Sequence, residues 1–348
     1  MLRSNNNPIS NFFSFIHQLF SAGKEGDKVS KVKNIWRKLR IWVMLTFGIT
    51  ILLILINQIS FPEFLKLLSK VNIAYLVAAF FIGLSATIIK TIRFGFFFPA
   101  PGRWLGLYGV FAVLRVLYYL LPFNSGEVVY LTALKKYRFT PSITETAPTW
   151  FFLRLTDIIA LSAWLIIILF LVPFSGSLFG EMYSFRWIII GIASVLFVVI
   201  SSFPFWIPRI RISKSDNWLS QRIKLLQSGF SRTFKITTLI KTLTVSMIIW
   251  FVLIVFDTFA LLAFNTPLSF WECFLASIAI YCISLLPINA PLNLGTDEAL
   301  WTGVLMLAGV GSSLAVSIAL SIRIVSMLVL MTEGIIGFLL LLLRKLRS

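Results

Sequence analysis

Acids, histidine and cysteine are scarce in this chain of 348 residues, which holds 13 Asp and Glu, one His and two Cys. Charged residues make up 13% of it, about half of what a soluble domain uses to wet its surface, so ordinary soluble enzyme folds are excluded. Cys273 and Cys282 both sit in apolar sequence, which excludes a disulfide framework and a CxxC metal knuckle. His17 has no second His or Cys near it, so a zinc site is not implied, and it reads as an interfacial residue. No GxxxxGK[ST], HExxH or GxSxG string occurs, so no nucleotide, zinc or serine hydrolysis site is visible and no cofactor is implied. What the chain does have is 58% hydrophobic residues and a mean hydropathy of +0.93, gathered in blocks of about 20 residues as bilayer-spanning helices require. The formal charge of +18 then reads as membrane topology and contact with anionic lipid, not as nucleic-acid binding.

An all-α polytopic membrane protein is therefore expected, with a basic cytoplasmic leader (1–40) ahead of a single transmembrane domain (41–348). Within the leader, the apolar residues between Asn11 and Phe20 suit either a short helix in the headgroup layer or a disordered tail. Six runs are long enough to cross the bilayer: Ile41 to Ile59, Val71 to Ile89, Thr149 to Val172, Trp187 to Ile207, Thr242 to Phe264 and Ser313 to Leu343. Two others, Leu105 to Leu121 and Phe270 to Leu286, run into a proline and a polar turn and then resume, the pattern of broken or re-entrant helical hairpins. Lys and Arg mark the cytoplasmic side of short loops. Placing 25 of the 31 in the leader, the loops around Lys90, Arg93 and Arg103 and around Lys135 to Arg138, the stretch Arg209 to Lys241 and the C-terminal end puts both termini in the cytoplasm.

The string Leu120-Leu121-Pro122-Phe123-Asn124-Ser125-Gly126-Glu127 recurs 165 residues later from Leu285-Leu286-Pro287-Ile288-Asn289 and, after an insertion, Gly295-Thr296-Asp297-Glu298. Arg154 follows Glu127 and Arg323 follows Glu298 at similar spacing, each inside the next crossing. Each half (about 41–172 and 187–343) thus reads crossing, crossing, broken hairpin, crossing. Three crossings per half is odd, so the second copy sits upside down, the inverted-repeat plan of many transporters.

Charges facing lipid cost about 3 kcal/mol each at mid-bilayer, so those embedded in the runs must face an interior, water or one another. Arg154 and Asp157, three apart, can neutralise each other on one helix. Asp257, Glu272 and Glu333 suit structural pairing near the interfaces. Glu127 and Glu298 suit helix starts capped by Asn124 or Ser125 and by Thr296. Capping leaves unexplained why both restarts fall at membrane depth with an arginine following each. Half-helix N-termini together with Arg154 and Arg323 make a site suited to a phosphate or carboxylate, with Glu127 and Glu298 tuning its charge.

Arg93-Phe94, the Leu121-Pro122 to Gly126-Glu127 segment, Arg154 with Asp157, and Pro291 to Gly295 with Glu298 give the chain a resemblance to the transmembrane region of lysylphosphatidylglycerol synthases, a flippase-like domain also found alone. The match begins near Ile89 and runs to the C-terminus. Positions where the family pattern has arginine hold Asn124 and Tyr130 here, and the glycine pair of the second motif is replaced by Leu292-Asn293. The resemblance implies lipid translocation by the membrane domain. Aminoacyl transfer belongs to a soluble domain for which the few residues after the last apolar run leave no room, so a catalytic role is not the first expectation.

The expectation is a flippase-like transporter in a bacterial cytoplasmic membrane, moving a phospholipid or polyprenyl-phosphate headgroup through a charged cavity. Arg154 and Arg323 would bind phosphate, and Glu127, Glu298, Asn124, Asp157 and Asp297 would shape or gate the cavity. Two other readings stand beside it. One is an intramembrane enzyme or subunit that modifies a lipid-linked glycan or headgroup, with Glu127, Asp157 or Glu298 as base. The other is a membrane partner of a cytosolic synthase.

Overall fold

The computed structural model describes residues 46, 48–57, 61–100, 102–120, 126–171, 186–206, 236–284 and 293–346. The leader with its candidate interfacial helix, Asn124 and most of the basic stretch Arg209 to Lys241 lie outside them. Every regular element among the described residues is helical. After a helical segment at 48–56 come α1 (Phe61–Ser69), α2 (Ile73–Gly95), α3 (Trp104–Leu120), α4 (Gly126–Lys136), α5 (Ile143–Leu171), α6 (Arg186–Trp206), α7 (Ile236–Ala263), α8 (Phe270–Ser284), α9 (Thr296–Leu307) and α10 (Ser312–Leu346).

Four helices are long and apolar enough to cross a membrane: α2, α5 from Thr146, α7, and α10 to Leu343. With 28 residues, α7 measures about 42 Å against a hydrocarbon core of roughly 30 Å. Their outward faces are apolar, as lipid requires: Phe81, Phe170, Leu328 and Ile335 are all more than half exposed. Two of the six expected crossings are not matched in this way. The first is described only at residues 46 and 48–57, a stretch shorter than a crossing needs, and in α6 the apolar helix of described residues is only Trp187–Ser202.

Both expected hairpins are broken helices. Helix α3 stops at Leu120 and α4 starts at Gly126; α8 stops at Ser284 and α9 starts at Thr296. None of the four exceeds 17 residues, about 26 Å, and within each hairpin the two arms pack together. Two helix ends depart from the apolar runs: α2 continues past Ile89 through Lys90 to the buried Arg93, and α7 begins at Ile236, ahead of the apolar run, in a turn that stays largely exposed.

Packing follows the repeat. Setting α2, α3, α4 and α5 against α7, α8, α9 and α10, the contacts come in matched pairs: α2 with α3 and α7 with α8, α3 with α10 and α8 with α5, α2 with α10 and α7 with α5. The two equivalents α2 and α7 pack on each other. They are antiparallel, because the Asn72 N–H donates to the Ala263 carbonyl at 2.8 Å while Arg93, near the other end of α2, reaches Ser246 of α7 at 2.6 Å. An inverted repeat demands that reversal, since its two halves are upside-down copies. Asn72 also caps α2, its Oδ1 accepting from Ala74 N and Tyr75 N.

Candidate functional site

The paired contacts leave a cavity of about 300 Å³ between the halves, walled by α2, α3, α4, α5, α7, α8, α9 and α10. It brings together five of the seven expected site residues: Arg154, Asp157, Asp297, Glu298 and Arg323. Asn124 and the Glu127 side chain lie outside the described residues.

One node joins α2, α5 and α7. Arg93 donates from Nη1 to Asp157 Oδ1 and to Ser246 Oγ, and from Nη2 to Asp157 Oδ2 at 3.2 Å. Trp250 Nε1 donates to Asp157 at 3.2 Å, and Ser246 Oγ donates to Thr156 Oγ1 at 3.1 Å. This corrects the expectation that Asp157 neutralises Arg154 on its own helix: the carboxylate is held by a fork-shaped guanidinium from α2, which offers two bonds to its two oxygens. Arg154 instead projects beside Trp150, its guanidinium carbon 6.0 Å from the ring centre. Lys90 and Arg93 were counted as cytoplasmic loop charges. They lie on α2, Arg93 buried at 6% exposure and Lys90 in the cavity wall.

A second pair crosses between the halves: Arg115 Nη1 of α3 donates to Glu333 Oε2 of α10 at 2.5 Å and to Thr87 Oγ1 of α2 at 3.0 Å. Glu333 is fully buried, so the expectation of structural pairing is met, though inside the bundle and not at its rim. Glu272 is a helix cap: its carboxylate accepts from Ser269 N at 2.8 Å and its own N–H donates to Ser269 Oγ, the reciprocal box that opens α8.

The third cluster is at the second helix restart. Arg323 of α10 donates to Asp297 at 2.8 Å and lies 3.4 Å from Glu298. Asp297 also accepts from Asn293 Nδ2. The expected Thr296 cap is absent. Thr296 donates to the Asn293 carbonyl, and Gly295 takes the cap position at φ +74° with no side-chain cap bond. A Cβ at Gly295 would sit 2.1 Å from the Gly48 carbonyl oxygen, so close backbone approach does occur here, against the first helical segment. Because Asp297 and Glu298 fill the first turn of α9, their charge already balances the positive end of that helix and the arginine.

Tyr130, where arginine was expected, turns the first-half wall aromatic. It packs on Trp150 (5.2 Å) and Phe111 (5.7 Å), and its hydroxyl donates to the Phe111 carbonyl. Along the antiparallel α2 and α7, Asp257 lies 11 residues beyond the Ser246 level at which Arg93 docks, about 16 Å at 1.5 Å per residue. The cavity therefore has a cationic end at Lys90, Arg93 and Arg154 and an acidic end at Asp257 and Asp297. Asp257 was read as interfacial; it is 4% exposed and faces the cavity. A usable signal was present, since no Lys or Arg stands within two helical turns of it on α7. Arg115 carries the same signal, with no Asp or Glu within two turns of it on α3; nothing comparable in the sequence marks Lys90 as a cavity residue.

Among known proteins, the UPF0104 membrane protein MJ1078 of Methanocaldococcus jannaschii is 26% identical over 220 residues, 63% of this chain and 91% of that protein. No solved structure matches. The model of the family "Lysylphosphatidylglycerol synthase TM region" matches residues 38–334, which takes in every helix of both halves and all the cavity charges. With a family model covering most of its length, the chain belongs to the lysylphosphatidylglycerol synthase transmembrane-region family.

Proposed function

We propose that the chain is a flippase-like transporter that passes the headgroup of a phosphate-bearing lipid, a phospholipid or a polyprenyl phosphate, through this cavity while the tails stay in the bilayer. The observation that carries the reading is the cavity itself: ionised groups at membrane depth, where each costs several kcal/mol unless it serves packing or passage. Lys90 faces it without an ion pair among the described residues, and Arg154 lies beside it. These two cations make the phosphate contact. Arg323, already held by Asp297 and Glu298, joins when the headgroup displaces one of those carboxylates. Tyr118, Tyr130 and Trp150 offer apolar faces with polar rims to the glycerol or sugar part. On this reading both termini are cytoplasmic, and a separate synthase supplies the lipid.

The test uses proteoliposomes carrying a fluorophore-labelled phosphatidylglycerol and a membrane-impermeant quencher. Wild type should expose inner-leaflet label, and Arg154→Ala, Lys90→Ala or Arg323→Ala should slow exposure about tenfold, the worth of one charge-assisted hydrogen bond near 1.4 kcal/mol. Equal rates in all four proteins would remove these roles.

A lipid-modifying enzyme is the second reading, favoured by one observation: Glu298 Oε2 is buried beside the cavity without a hydrogen-bond partner, as a general base requires. Incubation with candidate lipids and donors that yields a covalently changed lipid, lost in Glu298→Gln, would put it first.

A further inference from the structure

Four carboxylates on or just behind the cavity wall have an arginine of their own: Asp157 has Arg93, Glu333 has Arg115, and Asp297 and Glu298 share Arg323. Asp257 is different. It is 4% exposed, it lines the cavity, and no ion pair is formed by it among the described residues. Beside it is Tyr281, on α8, whose hydroxyl donates to the Leu253 carbonyl at 3.4 Å and so offers its oxygen as an acceptor, and whose ring stands edge-on to Trp250 at 5.1 Å. A bare carboxylate in such a place costs several kcal/mol. Something must offset it, either a bound cation or a proton.

We propose that Asp257 is a proton-binding site whose loading and unloading accompany each transport cycle, so that a proton gradient drives the movement of the headgroup. The inference rests on the transport reading above. The surroundings argue for a proton over a metal cation. Hard cations such as sodium collect several oxygen ligands, and no group of three or more metal-binding side chains occurs among the described residues. Beside Asp257 the wall from α7 and α8 is instead Leu253, Phe256 and Ile280, with the phenol of Tyr281 and, across the space, that of Tyr119. A proton needs only the carboxyl and a neighbour to exchange hydrogen bonds with, which Tyr281 supplies.

Charged and titratable groups line the cavity from every neighbouring element. Nearer Asp257 are Tyr281 of α8, Tyr119 of α3, Asp297 and Glu298 of α9 and Arg323 of α10; toward the cationic end are Lys90 and Arg93 of α2, Arg154 and Asp157 of α5, Arg115 and Tyr118 of α3 and Tyr130 of α4. The arginines in this set that form the ion pairs above are committed to the other acids. As the phosphate passes from the cationic end toward Arg323, it draws that arginine from Asp297, which leaves a second negative charge facing Asp257 and holds the proton on it. Departure of the headgroup restores the Arg323 pair and lets the proton leave to the opposite side. No covalent bond is made or broken apart from the O–H bond of the carboxyl, and one proton enters and one leaves per cycle.

The experiment has two arms on the full chain. In the first, purified protein is taken through a pH change in an infrared difference measurement without any lipid substrate; a protonated-carboxyl band should appear and be missing in Asp257→Asn, and Asp257→Glu should restore it at a shifted position. In the second, proteoliposomes with labelled phosphatidylglycerol are given a pH gradient of either sign, or a sodium gradient. Wild type should respond to the pH gradient alone, Asp257→Asn should lose that response while retaining gradient-independent exchange, and Asp257→Glu should recover it. A band unchanged by Asp257→Asn, or wild-type transport driven by sodium and indifferent to pH, overturns the proposal. If wild type moves no lipid while the band is present and assigned to Asp257, the transport reading fails and the proton site stands; if lipid moves but the band is absent, the proton site fails alone. Should Asp257→Asn not fold, the band position in Asp257→Glu decides the assignment, and an unshifted band overturns it.

Discussion

At the scale of single residues, the node of Arg93, Asp157, Ser246 and Trp250 shows why a charge in this bundle is costly to disturb and cheap to keep. Removing one member of a buried pair leaves the other uncompensated, typically at a cost of about 3–5 kcal/mol, whereas replacing both with apolar groups of similar size is often nearly neutral. Arg93→Ala should therefore lower the thermal unfolding midpoint in detergent markedly, and Arg93→Met with Asp157→Leu should recover most of the loss. If single and double variants melt alike, the pair does not hold α2, α5 and α7 together. The residue Arg154 belongs to a different class. It sits beside the cavity, stacked near Trp150, so Arg154→Ala should change transport far more than stability, the two being separable by measuring both on one preparation.

At the scale of elements, the halves meet closely where α3 and α10 cross through small residues. A Cβ on Gly337 would lie 2.7 Å from Ala112 Cβ and 2.9 Å from the Gly109 carbonyl oxygen. Small residues let helices in lipid approach closely, where dispersion and polar contacts replace the hydrophobic drive available in water. This close crossing is also what lets Arg115 reach Glu333. Gly337→Ala should cost about 1–3 kcal/mol by overpacking, seen as a lower midpoint, while Gly303→Ala on α9, where a Cβ meets nothing within 4 Å, should be near neutral. Gly295→Ala is expected to be the more severe change, because the backbone sits at φ +74° and the new Cβ collides with the backbone of Gly48. A melting midpoint within error of wild type would mean that the first helical segment does not press on the second restart.

For the molecule as a whole, the antiparallel α2 and α7 make orientation testable. The loop holding Lys70, tied to the end of α7 by Asn265 donating to the Lys70 carbonyl at 2.6 Å, should lie on the side opposite to Lys136. With Cys273 and Cys282 replaced, a cysteine at 70 should react with a membrane-impermeant maleimide in intact cells, and a cysteine at 136 only after permeabilisation. Labelling at 136 from outside would reverse the cytoplasmic assignment of the termini.

Much of this was legible because lipid is a severe solvent. Apolar runs of sufficient length, the Pro-and-Gly interruptions after Leu120 and Leu285, and the odd number of crossings per half lead to an all-helical bundle with two broken hairpins, for unsatisfied backbone groups are not tolerated in hydrocarbon. The LLPxN repeat likewise pointed to Arg154, Asp157, Asp297, Glu298 and Arg323 as residues of one interior. The chain read in one dimension could not decide partners. Asp157 is three residues from Arg154 yet takes Arg93, 64 residues away, because α2 and α5 both pack on α7, which brings that guanidinium to it. Nor could it tell that Lys90 and Arg93, beside a run that looked complete at Ile89, are drawn inward, or that Asp257 is the cavity acid without an arginine. Sequence determined which residues had to leave the lipid; only the tertiary packing, by choosing which helices touch, decided what each of them would meet there.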